Sequence, residues 1–338
     1  VFAYQFGRNA PFAAFCHRRG RTPESIIGWR DIPAVPTAAF KEVPLVAGDP
    51  ATAEATFRTS GTTRGRQGTH VILDLSLYHG ALVPVFRAYL LPDGLKPAIL
   101  SLIPPDQDVA DSSLAHMVSV VMDRLGGPGS GHHASVAGGI HEDSLRAALR
   151  DAERDGRPVL LLGTSFAFVH WTDGLRAEGE RFRLPHGSRL MDTGGYKGRS
   201  RVVGEDELRR SYAELLGIDG AWCVNEYGMT ELCSQFYDTT LRERLLASPV
   251  GHRRKVPPPW VRTIIVDPDT LEPLPAGQPG LLRIVDLANL GSVLAIQTED
   301  VAVTVDDGFC VLGRAAGAQP RGCSLATEEL LDAVRRAG

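Results

Sequence analysis

The sequence lacks a long apolar stretch and an excess of either charge. Its longest uncharged apolar run, PVLLLGTSFAFV at 158–169, is well short of the roughly 20 residues that span a bilayer. Lysine and arginine total 36 against 40 for aspartate and glutamate, which gives a net charge of −4. This balance gives no electrostatic argument for a nucleic-acid or membrane partner.

Cysteine is also scarce. The five cysteines stand at positions 16, 223, 233, 310 and 323, an odd number with no CxxC pair. This pattern argues against a disulfide framework or a zinc ribbon and favours a reducing compartment. Because no signal peptide is visible either, the sequence predicts a cytoplasmic protein.

What is present is an ordinary globular composition. Hydrophobic residues make up 43% of the chain and charged residues 22%, which is enough for a sizeable core. The 338 residues are compatible with about two domains, or with one large α/β unit that carries a small appendage.

From about residue 55 to 228, buried apolar runs alternate with amphipathic segments. Strands are predicted at 98–103, 158–163, 189–195 and 221–228. Helices are predicted at 112–125, 142–156, 166–179 and 205–217, the first of them capped by Asp111. Strands that alternate with helices predict an α/β fold with a largely parallel, helix-covered sheet.

After about residue 258 the pattern changes to short β runs separated by turn residues, with DDG at 306–308 as a hairpin signal. This region is predicted to be antiparallel up to residue 313, and 325–338 to form one amphipathic helix. The proline-rich residues 1–50 are predicted to be an extended lead-in packed on the core. The predicted division is therefore 1–50, a core at 51–313, and a small C-terminal subdomain at 314–338.

The stretch FRTSGTTRGRQGTH (57–70) is the first candidate for ligand binding. Its candidate hydroxyl donors are Thr59, Ser60, Thr62 and Thr63. Gly61 and Gly65 allow the backbone to approach a ligand closely, and successive N–H groups in such a turn form an anion site. No lysine occurs between 42 and 95, so a phosphate held here is not transferred by P-loop chemistry. The alternative is a solvated turn.

A second candidate is NEYGMTEL (225–232), where an apolar strand runs into a polar loop. In open α/β folds ligands bind at this edge of the sheet. Thr230 can donate to a phosphate oxygen, Glu231 is an oxygen ligand suited to Mg²⁺, and Tyr227 offers an aromatic face. The alternative is that the string only ends a strand.

MDTGGYKG (191–198) is another strand that leads into a glycine-rich loop. Gly194 and Gly195 permit close backbone approach, Tyr196 can stack on a base, and Lys197 can reach a phosphate. A tight turn with an exposed lysine is the alternative.

Two further candidates lie near the C-terminal end. Asp300, in QTEDVAV (297–303), can accept hydrogen bonds from two ribose hydroxyls. Arg314 follows a glycine and can reach a phosphate or a ribose. Cys323, in RGCSLATEEL (321–330), stands near a predicted helix start, where a thiol pKa is expected to be lowered. A turn residue, a surface charge and a small buried thiol are the respective alternatives.

Taken together and in this order, these strings resemble the adenylate-forming enzymes, the superfamily of acyl-CoA synthetases and luciferases. TSGTT (59–63) is similar to their phosphate loop, YGMTE (227–231) to their nucleotide motif, TED (298–300) to their ribose motif, and GR (313–314) to their hinge region. A closer resemblance is to the LuxE-type acyl-protein synthetases, through IPAVPTAAFKEVPL (32–45), the loop running into GTH, DTGGYKG and RGCSL. This resemblance covers residues from about 30 to 330.

The resemblance implies a role for each matching residue. The ATP phosphates would be held by Thr59, Ser60, Gly61, Thr62 and Thr63. The base and nucleotide would be bordered by Gly194, Gly195, Tyr196, Glu226, Tyr227 and Gly228. Thr230 would bind the α-phosphate, Glu231 would hold Mg²⁺, Asp300 would bind the ribose, Arg314 would stand at the hinge, and Cys323 would accept the acyl group.

The sequence departs from the superfamily pattern at three points. Arg64 stands where most relatives have glycine, and Glu299 replaces the glycine before Asp300. Most adenylate-forming enzymes carry a catalytic lysine in a C-terminal domain, whereas no lysine follows Lys255 here. Our hypothesis is that Lys197 or an arginine supplies that charge.

The implied reaction is attack of a carboxylate on the α-phosphorus of Mg·ATP, which releases pyrophosphate, followed by transfer of the acyl group to a thiol. That thiol is either Cys323 or a carrier-protein or CoA thiol, in which case Cys323 is structural. The expected partners are a carboxylic acid and a reductase, acyltransferase or carrier protein. A non-catalytic nucleotide-binding subunit is the alternative from another class.

Overall fold

The computed structural model of the protein describes residues 1–59, 66–194, 203–249, 251–315 and 320–337. The helices are α1 (Phe2–Phe6), α2 (Ala10–Arg18), α3 (Leu75–Leu90), α4 (Ser113–Leu125), α5 (Glu142–Asp155), α6 (Ser165–Glu178), α7 (Glu205–Leu216), α8 (Thr240–Leu245) and α9 (Arg321–Ala337). Short 3-10 helices lie at Trp29–Asp31, Thr37–Lys41, Pro50–Thr52 and Gly220–Trp222.

The strands are β1 (Val35–Pro36), β2 (Ala55–Arg58), β3 (Thr69–Ile72), β4 (Ala98–Ser101), β5 (Gly131–His132), β6 (Ala134–Ser135), β7 (Gly139–Ile140), β8 (Val159–Thr164), β9 (Arg189–Thr193), β10 (Cys223–Tyr227), β11 (Phe236–Tyr237), β12 (Val261–Val266), β13 (Gly280–Asp286), β14 (Ala295–Val305) and β15 (Gly308–Arg314). The chain divides into two compact units. The first comprises Val1–Ala81, Met229–Ser234 and Arg254–Gly338. The second comprises Leu82–Gly228 and Gln235–Arg253.

The second unit is built on a sheet with the strand order β11-β10-β9-β8-β4-β5. The pairs β10–β9, β9–β8, β8–β4 and β4–β5 are parallel, and β11 joins the edge antiparallel to β10. Strand β8 is buried almost throughout, as its apolar run predicts, and β9 is buried throughout although it carries Arg189 and Asp192. The predicted parallel α/β region is therefore confirmed, since all of its predicted strands and helices are found.

Glycines in the left-handed conformation end three of the helices in this unit. Gly156, Gly179 and Gly217 follow α5, α6 and α7 with φ values of 65°, 68° and 72°, the left-handed region that glycine adopts without steric cost. The predicted Asp111 cap of α4 is wrong by one residue. Ser112 is the cap, because its hydroxyl accepts from the backbone N–H of Ala115 at 3.2 Å.

The first unit contains a sheet with the order β1-β14-β13-β12, in which β15 also pairs with β14. All of these pairs are antiparallel except β1–β14. The β14–β15 hairpin turns at the predicted DDG, where Asp306 takes a φ of 49°. The predicted antiparallel region is confirmed, and the predicted C-terminal helix begins earlier than expected, at Arg321.

The N-terminal segment differs from the predicted extended lead-in. Asn9 caps α2 by accepting from the N–H of Phe12 at 3.1 Å, and α2 buries Phe12, Phe15 and Cys16. Residues 37–41 form a 3-10 helix instead of extended chain. Burial of one face therefore outweighs the weak periodicity and the prolines of this segment.

Helix α3 is not among the elements that the sequence predicted. Its interior Pro84 removes a backbone donor and disfavours a helix locally. The helix forms because Tyr78, Leu82, Phe86 and Tyr89 bury one face at helical spacing. Within the described ranges, every helix falls short of the length and apolar content that a membrane crossing requires.

Candidate active site

The base of the hydroxyl-rich loop lies in the first unit, between the antiparallel strands β2 and β3. The N–H of Thr59 donates to the carbonyl oxygen of Gly68 at 2.9 Å. The N–H of Gly68 in turn donates to the Thr59 hydroxyl oxygen at 2.8 Å. These two hydrogen bonds hold the two ends of the loop together. The predicted phosphate ligands Ser60, Gly61, Thr62 and Thr63 lie outside the described residues, as does Arg64.

The motif residues Thr230 and Glu231 belong to the same unit as this loop base. The Thr230 hydroxyl donates to the carbonyl oxygen of Arg58, at the end of β2, over 3.4 Å. The segment that follows β10 in sequence is thereby placed directly against the start of the hydroxyl-rich loop.

Glu231 is a buried carboxylate, with 8% of the residue exposed. Burial raises the pKa of Glu231 to about 7, and the negative charge of Asp300 raises the pKa further. Arg314 and Lys41 act in the opposite direction. A carboxylate that is costly to ionise in the free protein gains from any added cation, which fits the predicted metal role.

Asp300 and Arg314 face each other across the β14–β15 pair, where they are register partners. The Arg314 side chain donates to the carboxylate of the neighbouring Glu299 at 3.1 Å. Gly313 has a φ of 137°, which only glycine adopts readily, so the backbone conformation explains why the GR string has a glycine at this position. Four separate sequence motifs thus meet in the first unit.

The other predicted nucleotide residues lie in the second unit, at the carboxyl ends of β9 and β10. Glu226 pairs in register with Thr193, whose hydroxyl donates to the buried Glu226 carboxylate. Gly194 follows with a φ of 72°. A side chain at Gly228 would place its Cβ 2.4 Å from a Glu226 carboxylate oxygen, so the Glu226 carboxylate would have to shift to admit one.

The structure thus brings Gly194, Glu226 and Gly228 to one edge of the sheet, as predicted for neighbouring parallel strands. Tyr227 lies beside them, with its ring centroid 5.9 Å from that of Phe236. The predicted residues Gly195, Tyr196 and Lys197 lie outside the described residues.

A buried polar network that the sequence did not predict stabilises this edge of the sheet. Asp192 accepts from the Tyr212 hydroxyl at 3.0 Å and from the side-chain amide of Asn225 at 2.7 Å. Burial raises the pKa of Asp192. The two hydrogen bonds tie β9, β10 and α7 together directly under the predicted base-binding residues.

Cys323 lies in the first turn of α9 and is fully buried. It packs in a core cluster with Val266 and Leu281, and its sulfur lies 3.8 Å from the carbonyl oxygen of Thr298. Burial raises the pKa of the Cys323 thiol to about 11. The predicted lowering of this pKa is therefore wrong for this conformation, because loss of solvation outweighs any favourable effect of the helix start.

The glycine before Cys323 explains part of the RGC string. A Cβ at Gly322 would lie 2.7 Å from the carbonyl oxygen of Pro268, to which the Gly322 N–H donates at 3.0 Å. Glycine therefore allows the first turn of α9 to lie close to the 268–271 turn.

Two residues that sequence reasoning missed hold the Thr230–Glu231 segment. His70 lies 2.6 Å from the Thr230 carbonyl oxygen, and Asn289 donates to the Glu231 carbonyl oxygen at 2.9 Å. His70 is the last residue of the hydroxyl-rich stretch 57–70, which could have marked it. Nothing local marks Asn289, because its role depends on a contact across 58 residues of chain.

Within the described ranges, no group of three or more histidine, cysteine, aspartate or glutamate side chains is arranged to hold a metal ion. A cation at Glu231 would therefore take most of its ligands from a bound phosphate compound and from water. Mg²⁺ is bound in this way in many phosphate-handling sites.

Comparison with known proteins identifies the family of this chain. A family model described as acyl-protein synthetase, LuxE, matches residues 2–332. The long-chain-fatty-acid–luciferin-component ligase of Vibrio harveyi is 24% identical over 315 residues, which cover 91% of this chain and 78% of that protein.

Solved structures show the same fold at low identity. The open conformation of 2-hydroxyisobutyryl-CoA ligase, in complex with 2-HIB-AMP and CoA, has a TM-score of 0.68 at 14% identity and covers 94% of this chain and 74% of that one. ATP-bound MatB from Rhodopseudomonas palustris has a TM-score of 0.55 at 14% identity, and covers 80% of this chain and 49% of MatB.

The fold and the order of motifs define an ATP-dependent, adenylate-forming ligase. Within that class, the chain belongs to the LuxE family of acyl-protein synthetases.

Proposed function

We propose that this protein activates a carboxylic acid as an acyl-adenylate and then transfers the acyl group to a thiol. The observation that carries the proposal is the meeting of motifs in the first unit. Thr230 contacts the start of the hydroxyl-rich loop, and the charge of Glu231 is coupled to Asp300 and Arg314. This convergence is what a site for Mg·ATP requires.

Each motif has a role in the adenylation step. The ATP phosphates are held by Thr59, Ser60, Gly61, Thr62 and Thr63. Thr230 donates to the α-phosphate, where negative charge develops as the acid carboxylate attacks and pyrophosphate leaves. Asp300 accepts from the ribose hydroxyls, and Arg314 stands at the hinge.

The base side of the nucleotide is assigned to the residues predicted for it at the ends of β9 and β10. These residues are Gly194, Gly195, Tyr196, Glu226, Tyr227 and Gly228. This assignment is supported by the position of Gly194, Glu226 and Gly228 at the edge of the sheet where parallel strands end, and by glycines that leave the backbone accessible to a ligand. Lys197, in the same loop, is assigned the charge that relatives take from a C-terminal lysine.

Glu231 is the residue that would hold Mg²⁺. Its carboxylate is buried, and burial raises its pKa to about 7, so a cation beside it would favour the ionised form. When bound, the cation would neutralise charge on the phosphates of ATP.

The name of the Vibrio harveyi relative suggests a fatty acid as the first acid to test. In the second step, a thiolate sulfur attacks the carbonyl carbon of the mixed anhydride. The sulfur–carbon bond forms, the bond between the carbonyl carbon and the phosphate oxygen breaks, and AMP leaves.

Two acyl acceptors are consistent with this chemistry. One is Cys323, which would have to leave its buried position to meet the adenylate. The other is the thiol of CoA or of a carrier protein, with Cys323 structural. A reductase or acyltransferase that receives the acyl group is the expected partner in the first case.

The deciding experiment is ATP–pyrophosphate exchange with a panel of carboxylic acids, including fatty acids of several lengths. We expect exchange with at least one acid. Measurable ATP binding without exchange for any acid would refute the adenylation proposal and favour a nucleotide-binding subunit.

The acceptor is decided with the acid that supports exchange. If Cys323 is the acceptor, Cys323→Ser keeps exchange but loses the acyl-enzyme seen by intact mass in wild type. If the acceptor is a separate thiol, neither protein becomes acylated and both transfer the acyl group to CoA or a carrier.

A further inference from the structure

The segment Thr230–Ser234 is held by buried polar side chains from distant parts of the first unit. His70 comes from β3, Asp286 from the end of β13, and Asn289 from the turn after β13. All three are essentially inaccessible, with exposed fractions of 1%, 0% and 1%. Burial of three polar groups is costly unless each makes specific hydrogen bonds, so their partners indicate what they are for.

His70 is fixed to the backbone of Thr230. Its Nδ1 lies 2.6 Å from the Thr230 carbonyl oxygen, which can only accept, so Nδ1 carries a proton and donates. Burial lowers the pKa of His70, which favours the neutral ring with a single proton. Its Nε2 lies 3.0 Å from Oδ1 of Asn289. Because the Asn289 Oδ1 can also only accept, this second contact is not a hydrogen bond in a ring whose single proton is on Nδ1, and the bond to Thr230 is the one that fixes the ring.

Asn289 fixes the next residue in the same way. Its side-chain amide donates to the Glu231 carbonyl oxygen at 2.9 Å. The main chain of Asn289 is itself anchored, because Gln5 of α1 donates to its carbonyl oxygen at 2.7 Å. The support therefore extends from the N-terminal helix to the motif.

Asp286 holds the two residues that end the segment. Its carboxylate accepts from the N–H of Cys233 at 3.2 Å and from the hydroxyl of Ser234 at 2.8 Å. Asn289 also accepts from the Cys233 thiol at 3.5 Å. His70 and Asn289 contact its two proposed functional residues, whereas these bonds of Asp286 go to its last two residues.

We propose that His70 and Asn289 are positioning residues for adenylation. By fixing the carbonyls of Thr230 and Glu231, they set the direction in which the Thr230 hydroxyl and the Glu231 carboxylate leave the backbone. This inference rests on the proposed function and extends it to two residues that do not touch substrate. Loss of such supporting hydrogen bonds around a reactive group costs about 10–100-fold in activity.

The test compares His70→Asn with His70→Gln. An asparagine amide nitrogen reaches the position of Nδ1, whereas a glutamine amide nitrogen reaches that of Nε2. We expect His70→Asn to keep the kcat of ATP–pyrophosphate exchange within a few-fold of wild type. We expect His70→Gln, His70→Ala and Asn289→Asp to lose about 10–100-fold in kcat, a larger change than in the KM for ATP.

Thr172→Val is the matched control for stability. It removes a buried hydroxyl that donates within α6 to the Phe168 carbonyl at 2.7 Å and to the Val169 carbonyl at 3.2 Å, and Thr172 is not one of the proposed site residues. Its thermal midpoint should fall while kcat stays near wild type. A fall in kcat that is larger than that of Thr172→Val therefore indicates a loss of positioning and not only a loss of stability.

The outcomes are distinct. If wild type catalyses exchange and folded His70→Gln and Asn289→Asp keep its kcat, the positioning roles are overturned while the proposed function stands. A folded His70→Asn that is as impaired as His70→Gln would also overturn the positioning roles. Absence of exchange in wild type would overturn the proposed function and this inference with it. Should His70→Ala not fold, the asparagine and glutamine variants still decide, because they differ by one methylene.

Discussion

The sulfur of Cys323 lies 3.8 Å from the carbonyl oxygen of Thr298, the first residue of the TED motif. Asp300 is two residues further along β14, a rise of about 7 Å along the strand. The candidate acyl acceptor therefore contacts the same strand that carries the candidate ribose ligand. The thiol is nevertheless enclosed by Val266 and Leu281, so an acyl group can reach it only if the first turn of α9 moves.

Burial of Cys323 predicts slow chemical modification. Because its pKa is raised from 9.0 to about 11, its thiolate fraction at pH 8 falls roughly 100-fold, and its enclosure slows the reaction further. Iodoacetamide should therefore label the partly exposed Cys310 well before Cys323 in the native protein. Digestion and mass spectrometry at timed intervals give both rates. Equal labelling at the two sites would mean that the first turn of α9 opens readily.

Glu231 predicts a dependence of stability on pH. Its pKa in the folded protein, about 7, lies above the ordinary value of 4.5, so the unfolded chain ionises first. Below pH 4.5 the carboxyl is protonated in both the folded and the unfolded chain, and its burial does not oppose folding. The free energy of unfolding then falls as the pH rises from 4.5 to about 7. The loss at pH 8 is on the order of 3 kcal/mol.

Glu231→Gln should therefore melt at a higher temperature than wild type at pH 8, and at a similar temperature at pH 4.5. The same variant should lose about 100-fold or more in exchange, because it lacks the charge that balances a cation. Thermal melts at the two pH values test the first part. Equal midpoints at pH 8 would show that the carboxylate is already compensated in the free protein.

Asp300→Asn should raise the KM for ATP by about 10–100-fold, since hydrogen bonds to a charged acceptor contribute about 1.5–3 kcal/mol. The effect on kcat should be smaller, because the ribose is bound alike before and during reaction. Steady-state exchange at varied ATP gives both constants. Thr304→Ala, further along β14, is the control, and a similar KM change there would point to a general effect on the strand.

Lys197→Ala should lower acyl-adenylate formation by about 100-fold if this lysine supplies the charge that relatives take from a C-terminal lysine. Trapping of labelled acyl-adenylate measures the step directly. Lys96→Ala, at an exposed position in the second unit, is the control for loss of one positive charge. Unchanged acyl-adenylate formation in Lys197→Ala would remove Lys197 from the mechanism.

The sequence by itself determined the α/β class, the parallel strands β4, β8, β9 and β10, and the antiparallel region after residue 258. These elements are local: unbroken apolar runs, helical periodicity and glycine or Asp-Gly turns specify them without knowledge of the partner. The candidate motifs were also readable, because each is a short continuous string.

Tertiary structure decided the rest. Helices α1, α2 and α3 form because distant elements bury their apolar faces, against weak periodicity and an internal proline. Burial likewise reversed the expected pKa shift of Cys323, since desolvation depends on what packs around a thiol and not on its neighbours in sequence. The support of Thr230 and Glu231 by His70 and Asn289 joins residues up to 160 positions apart. Only the folded chain brings their hydrogen-bonding groups within reach of one another.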